Sequence, residues 1–223
     1  MKVEKIALEY LNAGGKRLRP RLCEAVYRSL VPEGTADLGP LKEAIECFHK
    51  ASLVHDDIQD GDEERYGRPT VWKQYGIPAA IAIGDWLVAH GYELITQSGF
   101  ANAADMLAAT ATSHRRLSEG QGDELLGSAD YLSICERKTG EAFALAATLG
   151  ALAAGADPAP YREWGLVFGI LFQIKDDLAD GGDPAKLLPL REEYERRLTE
   201  TACNQSHFSK TTSPIATLIP DFS

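Results

Sequence analysis

The chain has 223 residues, 44% hydrophobic and 25% charged, with a formal net charge of -10. This is globular composition, long enough for one good core or two domains. The negative balance makes nucleic acid and anionic membrane surfaces poor partners, so an anionic ligand would require local basic groups or a metal. The four cysteines, Cys23, Cys47, Cys135 and Cys203, are scattered without a CxxC pair. They suit reduced, buried thiols better than a disulfide frame or a zinc site. Met1–Glu9 carries charge throughout and lacks the apolar core of a signal peptide, and no apolar run is long enough to cross a bilayer. A cytoplasmic protein without a membrane span is expected.

The chain reads as helix after helix. Ala, Leu, Glu and Arg dominate, β-branched alternation is nearly absent, and apolar residues recur at helical spacing. Leu22–Leu30 forms one predicted helix, stopped near Pro32-Glu33-Gly34. Gly39-Pro40 opens the next, which spans Leu41–Gln59 and ends at Gly61. Pro78 begins a third, through Ala79–Ile95, closed near Gly99. Asn102–Ser118 is followed by Glu119–Leu126, and then by a long Ala-rich helix over Tyr131–Ala153. Pro158-Ala159-Pro160 breaks that helix, and Tyr161–Leu178 is the last predicted core helix. Gly181-Gly182-Asp183-Pro184 then turns the chain. "LREEYERRL" reads as a charged surface helix, and the Ser/Thr-rich remainder as an irregular tail. Residues 1–190 are thus expected to form a single all-α catalytic domain, and 191–223 a surface helix and polar tail.

One chemical pattern occurs twice. "HDDIQD" places Asp56, Asp57 and Asp60 at DDxxD spacing, and "KDDLAD" repeats it with Asp176, Asp177 and Asp180. On a helix, the first and last carboxylates of each set share a face, one turn apart. Each set ends an apolar helix, where the helix dipole is already negative, so the acids are costly there without a cation. Mg²⁺ suits the donors: it takes hard oxygen ligands and commonly binds through one or two carboxylates, waters and phosphate oxygens. The bland alternative is a solvated acidic helix end, which is weaker for two copies than for one. An EF-hand is excluded, because loop position 3 is apolar (Ile58, Leu178) and position 12 is not Glu (Gly67, Leu187).

The basic complement to a diphosphate is present. "GGKRLRP" sets Lys16, Arg17 and Arg19 behind two glycines. Glycine lets backbone N–H groups approach an anion, and the guanidinium fork matches phosphate oxygens. His49 lies two helical turns before Asp56 on the same face; alone it reads as a core histidine, beside the acids as a second anion contact. Arg65 and Lys138 are further cations, and Gln173 sits one turn before Asp176.

With these residues, the chain resembles the trans-polyprenyl diphosphate synthase family. The landmarks are "GGKRLRP", "HKASLVHDDIQD", "GRPT", "GDWL", "EGQGDE", "RKTGEA" and "FQIKDDLAD", in the family's order over about Ala13–Asp180. The resemblance implies an all-α isoprenoid synthase fold, a helical bundle around a central apolar cavity with the two Asp-rich motifs at its mouth. It implies a Mg²⁺-dependent condensation of an allylic diphosphate with isopentenyl diphosphate to a longer trans-polyprenyl diphosphate, C15–C20 or longer. Asp56, Asp60 and Asp176 would be the main ligands of up to three Mg²⁺, supported by Asp57, Asp177 and Asp180. Arg65, Lys138, Thr139 and Gln173 match positions contacting the allylic diphosphate or its metals, with Lys138 also assigned a catalytic role. Lys16, Arg19 and His49 match positions that hold isopentenyl diphosphate. A homodimer is also implied.

The sequence departs from the family in three places. The usual pair of arginines after the first Asp-rich motif is Arg65-Tyr66 here, and a charged phosphate contact is worth about 1.5–3 kcal/mol. Beyond the second motif, "GGDPAKLLPL" offers only Lys186 in place of the family's further lysines. The chain is also shorter than usual, with the helix before "GGKRLRP" expected to be nearly absent. These departures leave two alternatives open. One is a terpene cyclase-like enzyme that ionises an allylic diphosphate without isopentenyl diphosphate, and the other is a non-catalytic subunit of a heteromeric synthase. For product length, the family's tunnel floor lies just upstream of the first motif. Ala51 and Ser52 are small there, and Phe48 one turn deeper is a candidate plug, or plain core.

Overall fold

The computed structural model describes residues 2–128 and 130–203. Ten α-helices and one two-residue-stranded hairpin appear among the described residues. In chain order they are α1 (Val3–Leu11), α2 (Leu18–Leu30), α3 (Gly39–Asp60), β1 (Glu64–Arg65), β2 (Arg68–Pro69), α4 (Val71–Tyr75), α5 (Ile77–Thr96) and α6 (Ala103–Leu125). Then follow α7 (Tyr131–Cys135), a π-helical turn (Glu136–Gly140), α8 (Glu141–Ala153), α9 (Ala159–Ala179) and α10 (Pro184–Cys203). The all-α expectation holds, and its boundaries shift for local reasons. Pro20 lies in the first turn of α2, where its missing N–H leaves no bond unmade, so the helix starts four residues before Leu22. Val3–Leu11 forms a nine-residue helix where little was expected. Asn102–Leu126, read as two pieces, holds one continuous helix, α6, capped by Asn102 and Leu126. The Ala-rich Tyr131–Ala153 segment is instead interrupted by the π turn. The helix beyond Asp183 begins at Pro184, carries Pro189 inside it and runs to Cys203, so Thr199–Cys203 is helical rather than part of a tail. The remainder of the expected tail, 204–223, lies outside the described residues.

Two compact units arise, Met1–Pro20 with Asp37–Gly99, and Arg21–Ala36 with Phe100–Ser223. In the first, Ile6, Ala7 and Leu11 of α1 join Cys47, Ala51 and Val54 of α3 and Ala80, Ile83 and Leu87 of α5 in one core. The approach of α3 to α5 depends on glycine. A Cβ at Gly84 would meet the His55 imidazole, and one at Gly91 the Phe48 ring. This is a packing reason for the glycine of "GDWL", whose Asp85 lies 3.6 Å from His55 Nε2.

In the second unit, α8 is buried from Phe143 through Ala151, as a helix that is apolar all round should be. Phe143 meets Phe168 edge-on at 5.3 Å, and Trp164 stacks on Phe168 at 5.0 Å. A Cβ at Gly169 would lie 2.8 Å from Gly140 Cα and 2.9 Å from the Thr139 carbonyl oxygen. Glycine therefore lets α9 close on the π turn that carries Lys138 and Thr139. No helix among the described residues is long and apolar enough to cross a membrane.

Candidate functional site

Both acid-rich helix ends are built the same way. At the end of α3, Gly61 takes the left-handed conformation (φ 73°) and Asp62 N donates to the Asp57 carbonyl at 3.0 Å. At the end of α9, Gly181 does the same (φ 90°) and Gly182 N donates to the Asp177 carbonyl at 2.8 Å. Each helix thus ends in a glycine-dependent Schellman cap wrapped around the middle aspartate of its motif. The outer pairs, Asp56 with Asp60 and Asp176 with Asp180, stand one turn apart on their helices. Asp60, Asp176 and Asp180 are exposed and Asp56 is half-buried.

The middle aspartates are engaged differently. Asp57 is buried, and its Oδ1 accepts from Arg65 Nε at 2.6 Å and Nη2 at 2.5 Å. Burial pushes its carboxyl above the usual range, against the pull of the Arg65 guanidinium. Its Oδ2 is buried with no hydrogen-bond partner among the described residues. Arg65 is carried by the hairpin, which is pinned by Thr70 Oγ1 and Trp72 Nε1, both donating to the Asp62 carbonyl at 2.9 and 2.8 Å. That gives the threonine of "GRPT" a structural role. Tyr66, 89% exposed, sits at the hairpin tip with φ 53°, followed by Gly67 at φ 71°.

Lys16, Arg17 and Arg19 directly follow the Gly14-Gly15 loop along the chain. Arg19 Nη1 lies 3.3 Å from His49 Nε2. Because guanidinium only donates, His49 Nε2 accepts and the ring is neutral, with its hydrogen on Nδ1. Burial, then Arg19, Lys50 and Arg65, hold the His49 pKa well below its usual value. Burial lowers Arg19 to about 10. Arg17 pairs with Glu43 at 3.5 Å, and Lys16 remains exposed on the loop. Two residues here were missed from sequence. Lys50 is buried, donates to the Gly14 carbonyl at 2.9 Å and lies 5.2 Å from the Tyr10 ring centroid. Glu46 is 1% exposed, with its carboxyl pushed up by burial against the pull of Lys50, Arg17 and Arg19. A lysine and a glutamate one turn apart on an apolar helix face were the available signal.

In the second unit, Thr139, Gln173 and Asp177 are brought together. Thr139 Oγ1 donates to Gln173 Oε1 at 2.6 Å, and Gln173 Nε2 to Asp177 Oδ1 at 2.7 Å. Tyr131 donates to Asp177 Oδ2 at 2.6 Å. Lys138 is paired with Glu124, and Arg137 with Asp123, so two parallel ion pairs tie the π turn to the "EGQGDE" segment of α6. A Cβ at Gly120 would meet Arg137 Cβ, which accounts for the first glycine of that segment. A cleft of about 720 Å³ opens beside Tyr131, Asp177, Asp180, Lys186 and Leu187.

The chemistry of each donor set fits a hard divalent cation: carboxylate oxygens only, two of them one turn apart on a helix end. No group of three or more metal-ligating side chains closes around one point among the described residues.

Residues 1–187 match the family model described as polyprenyl synthetase. The chain belongs to the polyprenyl synthetase family. It is 38% identical over 195 residues to a geranylfarnesyl diphosphate synthase of Aeropyrum pernix, covering 80% of this chain and 61% of that one. It is 34% identical over 205 residues to a geranylgeranyl pyrophosphate synthase of Geoglobus acetivorans, covering 82% and 61%. The chain therefore spans about three-fifths of the length of these curated relatives. Among solved structures, a geranylgeranyl pyrophosphate synthetase of Geoglobus acetivorans superposes with TM-score 0.75 at 32% identity, over 99% of this chain and 76% of that one. A polyprenyl synthase from Caulobacter crescentus complexed with calcium and isoprenyl diphosphate gives TM-score 0.71 at 35% identity, over 82% and 58%. The polyprenyl synthetase family is metal-dependent.

Proposed function

We propose that this polyprenyl synthetase is a Mg²⁺-dependent prenyltransferase that condenses an allylic diphosphate with isopentenyl diphosphate to a longer trans-polyprenyl diphosphate. The carrying observation is the pair of identically capped helix ends, each presenting two carboxylates one turn apart. Asp56, Asp60, Asp176 and Asp180 are the proposed Mg²⁺ ligands, and Mg²⁺ would neutralise charge on the departing diphosphate. Arg65, Lys138, Thr139 and Gln173 are assigned to the allylic diphosphate, and Lys16, Arg19 and His49 to isopentenyl diphosphate. The neutral His49 and the adjacent Arg19 suit an anion that one charged group and one convertible group can share.

In the reaction, the allylic C1–O bond breaks and its electron pair leaves with pyrophosphate. The alkene of isopentenyl diphosphate attacks C1, and the resulting cation gives a proton to the released pyrophosphate, which restores the double bond. Lys138 leaves its Glu124 partner to meet the diphosphate, because a carboxylate is a competing anion for the same ammonium. A homodimeric, cytoplasmic enzyme forming products of C15–C20 or longer completes the reading.

The decisive test incubates the protein with Mg²⁺ and C5, C10 or C15 allylic diphosphate, with and without isopentenyl diphosphate, and measures pyrophosphate and product length together. Pyrophosphate that appears only with isopentenyl diphosphate, alongside longer prenyl diphosphates, is the expected result. Release without isopentenyl diphosphate, giving hydrocarbons or alcohols, or no release at all, overturns the reading.

A further inference from the structure

We propose that Tyr131 is a positioning residue for Thr139, acting through the Asp177 carboxylate and the Gln173 amide. The inference rests on the prenyltransferase reading above, and goes beyond it in using Asp177 as an anchor rather than a metal ligand. Three hydrogen bonds form the relay: Tyr131 to Asp177 Oδ2 at 2.6 Å, Gln173 Nε2 to Asp177 Oδ1 at 2.7 Å, and Thr139 Oγ1 to Gln173 Oε1 at 2.6 Å. Each has only one workable polarity. An ionised carboxylate only accepts, so Gln173 must turn its NH₂ toward Asp177. Its carbonyl oxygen is then left for Thr139, whose single hydroxyl hydrogen is spent there. The Thr139 oxygen retains only lone pairs, the polarity suited to a neighbouring electron-poor carbon.

Tyr131 is the fixed end of this chain. It starts α7, whose N-cap Asp130 accepts from Ser133 N at 3.1 Å. Its hydroxyl occupies the one Asp177 oxygen that Gln173 leaves open, so both carboxylate oxygens are used within the protein. Without that bond, Asp177 is held on this side by Gln173 alone, and its second oxygen is no longer fixed. A carboxylate that turns away loosens its bond to the Gln173 amide, and an amide released to flip would reverse the polarity at Thr139. The close approach of Gly169 to Gly140 Cα and the Thr139 carbonyl oxygen keeps the π turn within reach of α9. The loss of Tyr131 should therefore act on Thr139 without disturbing the backbone.

The test is Tyr131→Phe, which keeps the ring and removes one hydroxyl, read in two ways. In the ligand-free protein, NMR follows hydrogen exchange of the Gln173 side-chain NH₂, expected to quicken about tenfold with one hydrogen bond of the relay lost. In steady state, kcat is expected to fall about tenfold with both KM values within about twofold, the pattern of a group that acts in the transition state. The double variant Tyr131→Phe/Thr139→Val should be no slower than Thr139→Val alone, since the two act through one chain. Should Tyr131→Phe not fold, Asp177→Asn carries the same test, because an amide offers one acceptor oxygen where two are needed. Its Mg²⁺ requirement should stay that of the wild type. Unchanged amide exchange, losses that multiply in the double variant, or a raised Mg²⁺ requirement in Asp177→Asn overturns the proposal. A wild-type protein that turns over neither substrate overturns the functional reading, while the amide measurement still decides the relay.

Discussion

Arg65 donates both Nε and Nη2 to a single oxygen of Asp57, and leaves the other oxygen buried and unpartnered among the described residues. Asp57 is 1% exposed, so Arg65 is the cation that makes its charge tolerable. Removing one member of such a pair strands the other. Arg65→Ala is expected to lower unfolding free energy by about 3–5 kcal/mol. Arg65→Ala/Asp57→Asn should recover most of that loss, because no charge is then left buried. Urea midpoints at constant m-value check both. Equal losses in the single and double variants would remove Asp57 from the explanation.

Tyr66 occupies the place where the family carries a second arginine, on a hairpin tip exposed to solvent. Its left-handed backbone is set by the two-residue turn rather than by the side chain. Tyr66→Arg should therefore be accommodated. It is expected to lower KM for isopentenyl diphosphate roughly 10- to 100-fold, the value of a charge-assisted phosphate contact of about 1.5–3 kcal/mol. KM for the allylic diphosphate should not move. A matched fall in both would place this position at a shared, non-specific anion field.

Two histidines link pH to stability and binding. Burial lowers His114 to about 4, so it stays neutral in the fold while the unfolded chain takes up a proton below about 6.5. Its contribution is present above pH 6.5 and is lost as pH falls through that window toward 4. Comparison of wild type with His114→Gln should show a steeper loss of stability in the wild type between these limits. His49 is likewise held neutral, by burial and three cations. A diphosphate beside it opposes that shift, so isopentenyl diphosphate binding should take up a proton. Calorimetry in buffers of differing ionisation enthalpy measures this uptake, which should vanish in His49→Gln.

Phe48 seats its ring against Gly91 and edge-on to Tyr92 at 5.3 Å and 63°. It is 7% exposed, so truncation opens space rather than surface. Phe48→Ala is expected to shift the product distribution by at least one isoprene unit, read by chain-length analysis of the prenyl diphosphates. Unchanged products would leave Phe48 as plain core. Packing of this size costs about 3–5 kcal/mol when deleted, so the variant should be assayed well below its unfolding temperature.

Sequence alone determined the helical class and the chemistry of the helix ends. Helical spacing of apolar residues is local, and so is the DDxxD pattern that puts two carboxylates one turn apart. The terminating glycines Gly61 and Gly181 were legible for the same reason: a left-handed cap is a property of a few consecutive residues. The hairpin around Tyr66 and Gly67 escaped, because its strands are two residues long and carry no alternation. The π turn escaped because nothing in "ERKTG" differs in propensity from an ordinary helix; it is fixed by contacts of Arg137 and Lys138 with α6, and of Gly140 with α9. Only the tertiary structure could separate the two middle aspartates from their neighbours. Asp56 and Asp57 are adjacent and identical in type, as are Asp176 and Asp177. Burial and the directions of Arg65, Tyr131 and Gln173 give the middle member of each motif a different partner and a different task. Gln173 is one helical turn from Asp177, but Arg65 and Tyr131 lie 8 and 46 residues from their aspartates, and only the tertiary structure brings them together.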